Sequence, residues 1–384
     1  MTTKNVIITK DIEKNPKTPN KKKGKNKKDK KQETKKETKQ TNKKKYGQFY
    51  TTNYKYILKN FKIPSNINNI IEPFAGNGDL LNFLNIKENN NVECYDIEPK
   101  KDNIIKKDTL LNPPDYNNKF LITNPPYLAR NKSKDKTIFD KYEQNDLYKC
   151  FIEILITNKC LGGIIIIPLN FWCSIRKQDI KLRERFLNVY KVIHINIFEE
   201  QVFDDTKYTT CSFQFDLINS DIAQAINCII YPIKKSIKII LNKKNNYILG
   251  GEIYKLKLNK NIKIERATKK NKENITNILV KCLDDNINNK IKLSMIEDKD
   301  RFIDETEKLS ARSYATLLIK PHINLEKQKK LVEKFNKYLN NKRDEYHSLF
   351  LTNYRESNSI ARKRISFKLV FNIVNHLLNS ENHS

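Results

Sequence analysis

Between residues 46 and 225 the apolar positions fall into short runs of two kinds, and the two kinds alternate. NNIIEPF, NVECYDI, KFLIT, GGIIIIPL and KVIHINIF are short and rich in β-branched or aromatic residues, as strands are. LLNFLNI, NDLYKCFIEILITNKC and DIKLRERFLNVY carry their apolar residues at helical spacing. Such a rhythm predicts an α/β fold, a parallel sheet wrapped by helices. Ile164 to Ile167 is an unbroken apolar run, as expected of a central parallel strand buried on both faces. The last two runs, KVIHINIF and TTCSFQFDL, are separated by a polar stretch too short for a crossover helix. They are expected to pair as an antiparallel hairpin at the sheet edge.

Outside this region the texture differs. Residues 1–45 are mostly Lys, Thr, Asn and Gln, with almost nothing apolar after Ile8. They cannot offset the entropy of ordering, which predicts a disordered tail that is either a solvated arm or a device for DNA affinity or nuclear targeting. Beyond about 225 the alternation is lost. INCIIYPI and SIKIIL read as strands, and residues 323–345 as an amphipathic helix with Leu325, Leu331, Phe335 and Leu339 on one face. The expected organisation is a tail over 1–45, a first domain over 46–225 and a second over 226–384.

Charge narrows the partner. The 384 residues carry a formal net charge of +30, and residues 1–45 hold 18 Lys against 5 acidic residues, so the remainder is itself basic. Clustered Lys and Arg gain affinity by releasing counterions from phosphate backbones, which points to nucleic acid. The seven cysteines are scattered without a CxxC pair or a nearby His at ligand spacing, so no metal and no disulfide framework is expected. No apolar run approaches the roughly 20 residues that a bilayer requires. A soluble intracellular protein is expected, cytoplasmic, or in a nucleus or viral factory if the source is eukaryotic or viral.

Candidate chemistry lies at the ends of the strand-like runs. Ile70 to Asp79 reads as a strand, a loop with Gly76 and Gly78, and a helix beginning near Asp79. In an open α/β sheet a ligand lies at the carboxyl ends of the strands, and glycines there let the backbone approach it. Glu72 tips this strand, Asp96 the next, Asp108 the third and Asn124 the fourth. Asp at the end of the second strand suits ribose hydroxyls, and the next carboxylate could accept from an adenine amino group. Each acid singly reads equally well as a turn or cap residue. Asn124-Pro125-Pro126-Tyr127 likewise reads alone as a surface turn, but here it follows an apolar strand at the fourth position, downstream of those acids.

This ordered set resembles the S-adenosylmethionine-dependent N6-adenine DNA methyltransferases of restriction-modification systems, in the gamma arrangement. The resemblance spans about 46–218 and implies a Rossmann-like methyltransferase sheet followed by a target recognition domain. Tyr46-Gly47-Gln48-Phe49-Tyr50-Thr51 is similar to the family's amino-terminal motif, whose loop covers the methionine end of the cofactor. Glu72, Phe74, Ala75, Gly76 and Gly78 are similar to its first sheet motif, although many members have Ser or another small residue where this chain has Asn77. The resemblance implies that Asp96 and Ile97 bind ribose, that Asp108 and Thr109 face the cofactor's adenine, and that Asn124 to Tyr127 form the catalytic motif. Gln201-Val202-Phe203 and the stretch from Thr206 to Phe213 resemble the hairpin motif in which an aromatic residue, here Phe203, touches the target base.

The chemistry accounts for an Asn and prolines in that place. An exocyclic adenine amine is a poor nucleophile because its lone pair is delocalised into the ring. The Asn124 side-chain oxygen and the Pro125 carbonyl can each accept one N6 hydrogen, localising the lone pair and stabilising the developing charge. The prolines fix that geometry, and Tyr127 offers a face for a base rotated out of the duplex. The same tetrapeptide also serves RNA adenine and protein glutamine N-methyltransferases, which the motif alone leaves open. The GQFYT motif, the basic body and the size of the second domain favour double-stranded DNA. Within that domain Tyr354, Arg355, Arg362, Lys363 and Arg364 are candidate DNA contacts, with Arg312 and Tyr314 of lower weight. The same segment reads equally as a capped helix with a solvated charged face. A monomer is expected to suffice, without nuclease activity of its own, and a separate cognate endonuclease would be the natural partner.

Overall fold

The computed structural model describes residues 47–84, 91–204, 208–218, 225–284, 290–305, 313–357 and 360–381. The expected tail over 1–45, together with Tyr46, Thr206 and Arg312, lies outside the described residues.

Nine strands form the main sheet: β1 (Asn69–Glu72), β2 (Asn91–Asp96), β3 (Ile105–Lys106), β4 (Phe120–Thr123), β5 (Gly162–Pro168), β6 (Tyr190–Phe198), β7 (Thr210–Leu217), β8 (Ile226–Tyr231) and β9 (Lys235–Ile239). Their order is β3-β2-β1-β4-β5-β7-β6-β8-β9. The first five are parallel, β7 runs antiparallel to both β5 and β6, and β8 lies parallel to β6. This is the expected α/β fold. All seven residues of β5 are buried, which its unbroken apolar run requires.

The sheet departs from expectation in three places. The β6–β7 hairpin is not at the edge, because β8 pairs with the free side of β6 and β9 with β8. INCIIYPI and SIKIIL therefore continue this sheet rather than opening a second unit. After β1 the chain makes a 3-10 turn over Leu80–Phe83 in place of an α-helix beginning at Asp79. The third strand is two residues long, so Asp108 sits just beyond its end.

Short helices α1 (Tyr54–Ile57), α2 (Thr137–Lys141), α3 (Leu147–Thr157), α4 (Asn170–Cys173) and α5 (Lys177–Leu187) accompany the sheet. Helix α3 has nine buried residues, among them Lys149 and Glu153. Lys149 pairs with Asp179 of α5 at 2.6 Å and also donates to Asn145 Oδ1 at 2.8 Å, while Ser174 donates to the other Asp179 oxygen. The pair is buried and each partner has a further hydrogen bond, which favours tolerance of a buried ion pair.

Residues 263–381 build two further sheets. Strands β10 (Lys263–Arg266), β11 (Ile275–Lys281), β13 (Lys292–Met295) and β14 (Tyr314–Lys320) form one, in the order β10-β14-β11-β13. Strands β12 (Leu283–Asp284), β15 (Thr352–Ser357) and β16 (Ile360–Arg364) form the other, in the order β12-β16-β15. Helix α6 (Leu325–Tyr346) lays Leu331, Phe335 and Leu339 into the shared core, as its periodicity predicts, whereas Leu325 at its first position is exposed. Asn324 caps it, accepting from the Lys327 amide. Helix α7 (Phe367–Glu381) packs on the same core. All seven cysteines are described and buried, and none forms a disulfide. Among the described residues no helix is long and apolar enough to cross a membrane.

Lys149→Met leaves Asp179 buried without its cation. It is expected to lower unfolding stability by about 3 kcal/mol, measured by urea denaturation, whereas a loss below about 1 kcal/mol would show that the pair is not needed.

Candidate active site

The parallel strands bring Glu72, Asp96 and Asn124 to one edge of the sheet, because each stands at or just past the carboxyl end of its strand. Glu72 is wholly buried between β2 and β4. Its Oε1 accepts from the Phe74 amide at 3.1 Å and from the Thr123 hydroxyl, while Oε2 has no partner. Burial outweighs these two donors and pushes its carboxyl up to about 8, so it is largely protonated at neutral pH.

The loop after β1 folds over the end of β2. The Ala75 amide donates to Tyr95 O at 2.8 Å, and the Gly76 amide to Asp96 Oδ2 at 2.8 Å. The other Asp96 oxygen accepts from the Glu98 amide at 2.7 Å, just beyond Ile97. Each oxygen has a second lone pair, so the carboxylate keeps capacity for a further donor. Gly76 holds a left-handed φ of +54°, and a Cβ there would lie 3.1 Å from the Tyr50 ring. Asp108 Oδ1 accepts from the amides of Leu110 and Leu111, and Thr109 donates to Pro73 O at 2.9 Å, tying the third strand end to the first loop.

Asn124 is held from the amino-terminal segment. Its Nδ2 donates to Phe49 O at 2.8 Å and to Thr51 Oγ1 at 3.1 Å. Phe49 O can only accept, so the amide has one orientation and its Oδ1 faces the other way. There it accepts from the Tyr127 hydroxyl, which lies equally within reach of Ile166 O at 2.8 Å. Gly47 closes the arrangement: its carbonyl accepts from the Tyr127 amide at 3.0 Å, and a Cβ on it would stand 2.6 Å from Tyr127 O. With φ at +67° as well, only glycine fits.

The expected open face of Tyr127 is not found. The ring is buried, stacked on Phe49 with centroids 5.2 Å apart and met edge-on by Tyr148 at 6.1 Å. Phe203 is buried too, 6.4 Å from the same Phe49 ring. Phe49, Tyr127 and Phe203 thus form one aromatic cluster around Asn124, with Phe49 packed against both of the others.

The residues expected to meet DNA fare differently. Lys363 is a correction: it is buried, and its ammonium is paired with Glu199 at the end of β6. It faces the protein interior, where Glu199 and the His347 carbonyl take its ammonium hydrogens. Arg364 is half-buried beside it. Tyr354, Arg355 and Arg362 lie on the β15–β16 hairpin, with side chains outside the description, and Tyr314 is exposed on β14. Two residues were missed. Thr123 binds Glu72, and Asp146, immediately before α3, accepts from the Leu128 amide at 3.1 Å and so fixes the peptide that follows Tyr127. Burial pushes the Asp146 carboxyl up to about 6. An Asp directly preceding an apolar helix was the available signal. Among the described residues no group of three or more His, Cys, Asp or Glu could hold a metal ion.

Residues 58–203 match the family described as the Eco57I restriction-modification methylase. That span holds the motifs from Glu72 to Phe203, and the match is to the same kind of protein that those motifs resemble. Comparison with curated protein sequences found no significant match. Among solved structures, the chain is similar to a type I restriction-modification methyltransferase subunit from Streptococcus thermophilus, at 13% identity and a TM-score of 0.36 over 48% of each chain. It is similar also to the type IIG restriction endonuclease BpuSI, at 14% identity and a TM-score of 0.36, over 58% of this chain and 36% of that one. The protein of the DrdV–DNA complex matches at 16% identity and a TM-score of 0.38, over 55% of this chain and 32% of that one. The chain thus spans half or less of each of these proteins.

Glu72 gives a pH signature. Its carboxyl titrates near 8 when folded and near 4.5 when unfolded, so the folded state holds the extra proton between those values. Stability is therefore expected to fall as pH rises from about 5 to about 8, by up to about 1.4 kcal/mol per pH unit. Glu72→Gln should flatten that slope in urea titrations, and an unchanged slope would place the ionisation elsewhere.

Proposed function

We propose that the protein transfers a methyl group from S-adenosylmethionine to N6 of an adenine turned out of duplex DNA. The observation that carries the reading is the fixed orientation of Asn124, whose amide hydrogens are taken by Phe49 O and Thr51 Oγ1 while Oδ1 points towards the aromatic cluster. When bound, S-adenosylmethionine supplies the electrophilic methyl group. Its ammonium, ribose hydroxyls and adenine amine are all donors, and the strand ends are lined with acceptors. Glu72 Oε2 lacks any partner and becomes an acceptor once a bound ammonium favours the ionised carboxylate, and the Asp96 and Asp108 carboxylates lie at the neighbouring strand ends. The residues present therefore fit the group, with Glu72 and the 74–78 loop at its amino-acid end, Asp96 at the ribose and Asp108 at the adenine.

Asn124 Oδ1 accepts one hydrogen of the target amine, and the Pro125 carbonyl accepts the other. Both act on the lone pair before transfer, and the methylated amine, strongly acidic while it carries its extra proton, releases that proton to water, so no group of neutral pKa is required. Oδ1 must first be released. The Tyr127 hydroxyl has one hydrogen and two acceptors, and by donating to Ile166 O it leaves Oδ1 to the substrate. Burial keeps that phenol far above its ordinary pKa, so it remains a neutral donor. An incoming base also replaces Phe49 against Tyr127 and Phe203, exchanging one aromatic contact for another. That exchange offsets part of the few kcal/mol spent in unstacking the base from the duplex.

Asn124→Ala is expected to reduce methyl transfer by at least about a thousandfold while leaving S-adenosylmethionine affinity within about threefold. Labelled methyl is followed into unmethylated duplex DNA, RNA and a protein extract in parallel, with nucleoside mass spectrometry of the DNA. N6-methyladenine in DNA supports the reading, and label confined to RNA or protein would replace it with the corresponding N-methyltransferase.

A further inference from the structure

The loop that carries Phe203 is held from two directions by adjacent glutamates. Glu200 accepts from the Tyr56 hydroxyl of α1, which follows the amino-terminal motif directly in the chain. Glu199 reaches the other way. Its Oε2 meets His347 Nε2 at 2.8 Å at the carboxyl end of α6, and its Oε1 pairs with Lys363 of β16. Lys363 also donates to His347 O at 3.3 Å, so the three groups form a closed cluster. Burial opposes ionisation of Glu199, but the hydrogen bond from His347 and the charge of Lys363 outweigh it and hold the carboxyl at about 2.

Lys363 is itself fixed by the hairpin expected to read DNA. It stands in register between Asn353 of β15 and Asp284 of β12. Asp284 in turn is gripped by Arg343 of α6 through both guanidinium nitrogens, at 2.9 and 3.0 Å. A displacement of the β15–β16 hairpin is therefore passed to Glu199, four residues before Phe203, through a charged contact rather than a flexible linker. Within the loop, Gln201 donates to Phe203 O at 2.8 Å, so the segment moves as a braced unit.

We propose that Glu199, clamped by Lys363 and His347, is a positioning residue that couples the β15–β16 hairpin to Phe203, so that engagement of the hairpin by DNA sets the aromatic wall of the base site. The inference rests on the reading of that site given above. Nothing in the clamp touches the reacting atoms, and its effect is expected in turnover rather than in cofactor binding.

The test uses the full chain as Lys363→Met, as Glu199→Gln and as the reversed pair Glu199→Lys with Lys363→Glu. Amide hydrogen exchange of residues 198–204 is measured without substrate, and methyl transfer from labelled S-adenosylmethionine to unmethylated plasmid DNA gives kcat and the KM of each substrate. In both single variants the 198–204 segment is expected to exchange about tenfold faster and kcat to fall about tenfold, with the KM for S-adenosylmethionine within about twofold. The reversed pair is expected to recover part of both losses. Unchanged exchange over 198–204 in both single variants would overturn the proposal, as would faster exchange spread evenly over the whole protein. Wild-type protein that transfers nothing to DNA would sink the reading of the site instead, and the exchange measurement alone would then decide whether the clamp holds the loop.

Discussion

The orientation of one side-chain amide governs the rest of the site. Asn124 can present an acceptor to a substrate only if its amide hydrogens are occupied elsewhere, and the two groups that occupy them come from the segment 49–51. That segment must therefore lie against the end of β4. It does so because Gly47 lets its backbone approach the Tyr127 carbonyl and because the Tyr50 ring settles over the bare Cα of Gly76. The prolines serve the same end by removing backbone freedom on the far side of Asn124. Sheet, loop glycines and amino-terminal segment thus act together on a single rotamer.

Three carboxyl groups near this edge show how the donors around an acid decide its state. Glu72 has two donors for one oxygen and none for the other, and burial drives it towards the neutral form. Asp146, half-buried with Lys149 nearby, is raised less. Asp96 has a backbone amide on each oxygen. The first can still respond to a cationic ligand, whereas the last is already organised before any ligand arrives. The sheet edge is in this sense half preorganised and half responsive.

Much of this was legible in the sequence because the informative residues stand at strand ends, where the order of strands along the chain fixes the order of side chains in space. Glu72, Asp96 and Asn124 needed only the alternation of apolar runs to be placed together. What was not legible depends on contacts between distant segments. The covering of Tyr127 by Phe49 leaves no local trace, since both read as ordinary aromatic residues of motifs. Lys363 reads as a DNA contact because its neighbours are basic, and nothing in SIARKRISF reveals a partner at Glu199. The membership of β8 and β9 in the main sheet is not legible either, because hydrophobic patterning reports that a strand is half-buried, not which sheet it joins.

The burial of every cysteine has a practical side. Cys94, Cys150, Cys228 and Cys282 are raised by burial to about 12, and Cys160 to about 11, so at neutral pH the thiolate that reacts with alkylating reagents is scarce as well as shielded. The seven thiols are spread from β2 through the central sheet to the carbonyl end of β11, inside three different packed regions. A reagent in solution can reach each of them only when the part of the molecule around it opens. The chain thereby carries its own set of clocks, one for each packed region, and the order in which the thiols become modified ranks the regions by how readily they come apart.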